Sequence, residues 1–203
     1  MIGPVYVITD PAARLPVIEQ ARAAARGGAW AVQLRDKTAS DDDLVVLVDA
    51  LLPELESRGV RLIVNDRVSV VERSGAHGLH IGQGDGDPRA ARDRIGPVRL
   101  LGLSVDNPAQ ARLVPDCVDY VGVGPVRATA TKPDHATPLG MAGLARIIAL
   151  VPKPAVAIGG LAPGDAAALR AAGAAGMAVV SAVTRAPDPQ AATRALFTEW
   201  SQT

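Results

Sequence analysis

The sequence predicts an α/β fold, a closed (β/α)8 TIM barrel built as a single domain over residues 1–203. Three observations carry that prediction. Short runs of β-branched and aliphatic residues recur eight times, helix-like stretches lie between them, and no Asn-Gly hairpin joins one run to the next. Strands separated by helices pair in parallel, and eight such units close most economically into a barrel. A doubly wound open sheet is the alternative, but no G-x-G-x-x-G follows the first strand.

The first run is PVYVITD from Pro4. LPVIEQARAAARGG follows it, with apolar residues at three- and four-residue spacing and glycine at its end, the pattern of an amphipathic helix. AVQLRD from Ala31 is the second strand. Ser40 before Asp41-Asp42-Asp43 then reads as an N-cap with acidic residues at the positive end of a helix dipole, and opens DDDLVVLVDALLPELESRG. RLIVND from Arg61, GLHIG from Gly78, LLGLSV from Leu100 and YVGVGP from Tyr120 supply strands three to six. RATATKPDHATPLGM, the longest irregular stretch, comes next, where barrel enzymes carry mobile substrate loops. AVAIGG from Ala155, the helical DAAALRAAGAA and MAVVSA from Met177 complete the set. No linker, low-complexity tract or composition break divides the chain.

Composition narrows the function. The chain balances 21 basic against 21 acidic side chains, so no cationic excess is present to displace counterions from nucleic-acid phosphates. One Phe, two Trp and two Tyr leave little material for base-stacking platforms. No apolar run approaches the roughly 20 residues that cross a bilayer, and MIGPVYVITDP carries no charged-then-apolar leader pattern. A cytoplasmic protein without membrane or nucleic-acid partners is expected. The single Cys117 excludes an intramolecular disulfide and any multi-cysteine metal site. Arg greatly outnumbers Lys, which occurs only as Lys37, Lys132 and Lys153, so each lysine invites a role. The Ala-rich helices leave a homodimer and a monomer equally open.

Barrel enzymes build their sites at the C-terminal strand ends, and polar residues cluster there. The second strand ends Gln33-Leu34-Arg35-Asp36-Lys37. Alternation puts Gln33, Arg35 and Lys37 on one face and packs Val32 and Leu34 against helices. An amide followed by two cations suits a polar ring attached to phosphate. The third strand ends Asn65-Asp66-Arg67, and Gly82-Gln83-Gly84-Asp85 follows the fourth. Asp66 and Asp85 on neighbouring strand ends can share a magnesium ion with a phosphorylated ligand, with Asp87 as a nearby competitor. Gly159-Gly160 and Val180-Ser181 end the last two strands, where barrels often bind phosphate through backbone N–H groups. Ser104 ends the fifth strand, and Thr129, Ala130, Thr131 and Lys132 lie on the long loop after the sixth. His80 lies within a strand and reads as a satisfied interior residue, whereas His77 and His135 read as surface or loop positions. Two anion sites, one metal and no nucleophile–base pair suggest ionisation of a diphosphate with attack by a second phosphorylated substrate.

The ordered set QLRDK, VNDR, GLHIGQGD, GLS, YVGVGPV with TATKPD, AIGGL and VVSAV resembles the thiamine-phosphate synthase family over essentially the whole chain. The resemblance implies a (β/α)8 fold and a magnesium-dependent transferase that joins hydroxymethylpyrimidine diphosphate to thiazole phosphate. It implies that Gln33, Leu34, Arg35, Asp36, Lys37 and Asn65 hold the pyrimidine diphosphate and that Asp66 and Asp85 bind Mg2+. Ser104 and Lys132 would meet the leaving pyrophosphate, making Arg35, Lys37, Ser104 and Lys132 the catalytic set. Thr129, Ala130, Thr131, Gly160, Val180 and Ser181 would hold the thiazole phosphate. The chain departs from the commoner pattern at Ala130, where Pro is frequent, in the glycine-rich GQGDGDP, and at Asp106, where His is frequent. The thiazole tautomerase branch uses a His at that last place, so it fits this sequence less well. A Schiff-base aldolase needs a lysine inside the barrel, and a non-catalytic phosphometabolite-binding regulator needs no metal-assisted leaving-group site.

Overall fold

A computed structural model describes residues 2–129, 131 and 136–202. Eight parallel strands close into a barrel in sequence order, each hydrogen-bonded to the next and β8 to β1. They are β1 (Val5–Ile8), β2 (Ala31–Leu34), β3 (Arg61–Asn65), β4 (Gly78–Ile81), β5 (Leu100–Val105), β6 (Tyr120–Val123), β7 (Ala155–Ile158) and β8 (Gly176–Val179). The helices are α1 (Val17–Arg26), α2 (Asp41–Ser57), α3 (Val68–Arg73), α4 (Pro88–Ile95), α5 (Pro108–Arg112), α6 (Gly140–Ile148), α7 (Ala166–Ala171), α8 (Ser181–Thr184) and α9 (Pro189–Gln202). All eight expected strands are present, and the open-sheet alternative is excluded by the β1–β8 pairing, Val5 opposite Met177.

Two apolar layers follow from strand alternation. Val5, Val7, Val32, Leu34, Leu62, Val64, Leu79 and Ile81 point outward and are sealed by helices through side chains such as Leu44, Val48, Leu51 and Leu55 of α2. Tyr6, Ile8, Ala31, Ile63, Tyr120, Val156 and Ala178 fill the interior. Both tyrosines of the chain and one of its tryptophans meet there edge-to-face, with Tyr6 and Trp30 centroids 5.7 Å apart and Trp30 and Tyr120 6.2 Å apart. Three of the five aromatic residues are thus spent inside the barrel.

Local chemistry sets the helix ends. Ser40 Oγ accepts from Asp43 N–H at 3.1 Å, with three aspartates in the first turn of α2. Pro53 lies inside α2 on its exposed face, where water can meet the carbonyl that loses a helical donor. Asp87 caps α4 by accepting from Arg89 N–H at 3.0 Å, which accounts for the carboxylate weighed above as a competitor for metal. The stretch between β6 and α6 has no helix or strand among its described residues. No helix of the described residues is long and apolar enough to cross a membrane.

Candidate active site

The C-terminal strand ends open on one cavity lined by Arg35, Ser104, Thr129, Thr131, Gly160, Val180 and Ser181, all singled out from sequence. Gln33, Asn65, Asp66 and Asp85 lie on the β2–β4 side of the same rim, with Lys37 on the loop after β2. Arg35 and Ser104 stand where the two sides meet. Ala130 and Lys132 lie outside the described residues, as does His135.

On the β2 side, Gln33 is buried and donates from Nε2 to Tyr6 Oη at 2.8 Å. Lys37 Nζ sits against Asp66 Oδ2, and Arg67 Nε is 3.3 Å from the other oxygen. Asp66 takes φ +52°, the sole positive φ outside glycine among the described residues, a conformation aspartate tolerates better than most side chains. Its N–H is held by His80 O at 2.9 Å, tying the end of β3 to β4. Asp85 accepts from Gly82 N–H at 2.7 Å, which orients its carboxylate over the turn after β4.

Two members of the predicted set contribute differently from the rest. Leu34 points outward and is buried among helix side chains, so its side chain does not line the mouth; only its backbone is available there. Asp36 turns back on its own loop, accepting from Thr38 N–H, Thr38 Oγ1 and Ala39 N–H at 2.8–3.1 Å. Burial raises the Asp36 carboxyl, but those hydrogen bonds and the nearby Arg67 outweigh it and hold the group below its ordinary value. Its part is to shape the loop that carries Lys37.

The opposite wall is built on close backbone packing. Gly160 has φ +64°, and a Cβ there would lie 2.7 Å from Arg127 Cβ and 3.0 Å from Ala128 O. Only glycine brings the two loops together so closely. Arg127 grips the junction, donating to Asp165 at 2.7 Å through both terminal nitrogens and to Gly160 O at 3.1 Å. The Arg127 hydrogen bonds hold the Asp165 carboxyl below its usual range. Val180 precedes the short α8, which begins at Ser181.

Several contributors escaped sequence reasoning. Thr9 Oγ1 receives Arg35 N–H at 3.1 Å and so fixes the strand end from which Arg35 reaches the cavity. Its visible signal was the polar Thr9-Asp10 pair closing VYVITD. Gln83 donates to Ser104 O at 2.6 Å, and Arg127 and Asp165 brace the loops after β6 and β7; no spacing pattern announces either contact. His77, expected at the surface, accepts the Leu62 N–H at 3.0 Å on Nδ1 and is half-buried; burial lowers its pKa. His80 is an interior residue as expected, 3.1 Å from Tyr120 Oη on one ring nitrogen and 3.1 Å from Ser104 Oγ on the other. Burial pushes its pKa down to about 4. Asp106 lines the cavity and accepts from Asn107 Nδ2 at 2.8 Å.

Among the described residues no group of three or more His, Cys, Asp or Glu side chains converges to hold an ion. A magnesium ion held by Asp66 and Asp85 would take the rest of its octahedral shell from phosphate oxygens and water, its usual mode. Asp66 already gathers two cationic side chains, so the donor set fits such an ion.

Comparison with known proteins agrees with this fold. Residues 5–183 match the family model described as thiamine monophosphate synthase. The thiamine-phosphate synthase of Roseiflexus castenholzii is 47% identical over 197 residues, covering 96% of this chain and 86% of the relative. That of Xanthobacter autotrophicus is 47% identical over 194 residues, covering 94% and 92%. The solved thiamine phosphate pyrophosphorylase of Pyrococcus furiosus superposes with a TM-score of 0.89 at 32% identity, covering 98% of this chain and 96% of that one. This chain belongs to the thiamine monophosphate synthase family.

Proposed function

We propose that the barrel, acting as a single domain, couples 4-amino-2-methyl-5-hydroxymethylpyrimidine diphosphate to thiazole phosphate, releasing thiamine phosphate and pyrophosphate. The observation that carries the reading is the shared mouth: a glycine- and hydroxyl-lined wall faces an Arg35–Ser104 edge, and a cation-gathering carboxylate lies beyond it. Gln33 and Asn65 orient the pyrimidine. Arg35 and Lys37 neutralise its diphosphate, and Ser104, with Lys132, donates to the leaving oxygens. Thr129, Thr131, Gly160, Val180 and Ser181 seat the thiazole phosphate opposite. Asp66 and Asp85 would hold Mg2+, which when bound neutralises charge building on the departing pyrophosphate. The C–O bond breaks with its electron pair leaving on pyrophosphate, and the thiazole nitrogen lone pair forms the new C–N bond with the pyrimidine-methyl cation. No proton has to be removed from the nucleophile, so this step needs no general base.

The competing chemistries find less support. Both ring nitrogens of His80 are engaged within the barrel, and Asp106 stands at the β5 end, so no described histidine is placed for thiazole isomerisation. Lys37 pairs with Asp66 at the rim, and Lys153 donates to Asp116 O at 2.9 Å, so neither lies inside the barrel as a Schiff-base lysine would. Both substrates are small molecules, and the catalytic work is assigned to a cytoplasmic chain, as a monomer or homodimer. The test is a coupling assay with both substrates, with and without magnesium chelator. Stoichiometric, magnesium-dependent appearance of thiamine phosphate and pyrophosphate is expected. Folded, substrate-binding protein that forms neither product overturns the reading.

A further inference from the structure

A continuous line of hydrogen bonds runs through the barrel interior from one side of the mouth to the other. Gln33 Nε2 meets Tyr6 Oη at 2.8 Å, and Tyr6 Oη meets Tyr120 Oη at 3.0 Å. Tyr120 Oη meets His80 Nδ1 at 3.1 Å, and His80 Nε2 meets Ser104 Oγ at 3.1 Å. All but Ser104 are buried. Space for the line is bought with a missing side chain, since a Cβ on Gly102 would lie 2.3 Å from Tyr120 Cζ and 2.4 Å from His80 Nδ1.

Each hydroxyl in the line has one proton to give, so the direction at one end sets the direction of the whole. The Gln33 amide nitrogen only donates. Tyr6, having accepted from it, gives its proton to Tyr120, and Tyr120 gives its own to His80 Nδ1. The neutral imidazole then carries its proton on Nε2 and donates to Ser104 Oγ. The Ser104 hydroxyl proton is left to point into the cavity. We infer that Tyr6, Tyr120 and His80 are positioning residues that order this line outward, so that Ser104 presents a hydroxyl donor to the anionic leaving group. The geometry fits this order, because the two ring nitrogens of His80 face Tyr120 Oη and Ser104 Oγ, each at 3.1 Å, so one accepts and the other donates. In the reverse order Gln33 would offer its oxygen inward and Ser104 would spend its proton on His80, facing the anion with lone pairs only. The inference rests on the reading of Ser104 as a diphosphate ligand.

Two measurements test it. The chain has three histidines, so 15N-labelled protein gives a simple imidazole spectrum in which His80 is assigned by its loss in His80→Gln. The protonated nitrogen is expected to be Nε2; an Nδ1–H tautomer overturns the order. Kinetics then compare Ser104→Ala, His80→Met, Tyr120→Phe and the double variants with Ser104→Ala. Ser104→Ala is expected to lower kcat by roughly 30-fold, and His80→Met and Tyr120→Phe by roughly 10-fold, with KM for both substrates within about twofold. His80→Gln, which restores an N–H donor, recovers part of the loss. Each double variant should be no slower than Ser104→Ala alone. Additive losses, or rate losses that track a lowered melting temperature, overturn the inference while leaving Ser104 as a ligand. If His80→Met does not fold, the near-isosteric Tyr120→Phe carries the same comparison. A Ser104→Ala variant at wild-type rate removes the reading beneath it instead.

Discussion

Asp66 holds an unusual backbone conformation beside two cationic side chains, and it does so at the strand end where charge has to be handled. Strain of this kind persists where the surroundings over-determine it. Asp66→Ala and Asp85→Ala should each lower coupling turnover by roughly 100-fold or more, because the leaving diphosphate loses part of its metal clamp. A magnesium titration checks the assignment: near-normal rates for both variants at limiting magnesium exclude these carboxylates as ligands. Gly160 invites a different experiment. Gly160→Ala meets both a positive φ and the Arg127 Cβ and Ala128 carbonyl, so it should cost about 1–3 kcal/mol of stability. It should also raise KM for thiazole phosphate by roughly tenfold, leaving KM for the pyrimidine diphosphate little changed. Equal rises in both constants would show that the wall serves the whole mouth.

At the scale of elements, α2 rests on its N-cap. Ser40→Ala should destabilise the protein by about 1 kcal/mol in urea denaturation while leaving coupling kinetics unchanged, since Ser40 touches only the first turn of its helix. That cap was legible in the sequence, as were all eight strands and the residues at their mouths, because strand alternation and capping are written in neighbouring positions. The sidedness of β2 was legible for the same reason: Gln33 turns inward and Leu34 outward. What stayed hidden depends on residues distant in the chain. The Arg127–Asp165 brace spans loops 38 positions apart, and Tyr6 reaches Tyr120 across 114. His80 was readable as an interior residue, but its bond to Ser104 appears only once β4 and β5 lie side by side. The family resemblance put Asp36 among the residues for the pyrimidine diphosphate, but its hydrogen bonds to Thr38 and Ala39, two and three positions on, could not be read from the motif.

Closing the barrel encloses a histidine that cannot take up a proton at ordinary cost. His80 has a pKa of about 4 when folded, against an ordinary value near 6.5 when unfolded. The unfolded chain therefore binds more protons between these values, and stability rises with pH across that window. The contribution is full above about pH 6.5 and is lost as pH falls toward 4, an effect on the order of 3 kcal/mol. His77, lowered by burial on the opposite face, acts in the same direction. Denaturant unfolding followed from pH 7 to pH 4 should show this slope in the wild type and a shallower one in His80→Gln. An unchanged slope in the variant would place the acid sensitivity elsewhere.

The bare backbone of Gly102 has a further consequence for how this interior can change over generations. Any side chain at that position collides with both Tyr120 and His80, so position 102 has few acceptable replacements while the two rings stay in place. A library randomised at position 102 alone should return mostly glycine among well-folded clones. A library randomised at all three together should recover barrels with a wholly different filling, such as one larger aliphatic residue replacing the space of two rings. A larger residue at position 102 is therefore expected only together with smaller ones at positions 80 and 120.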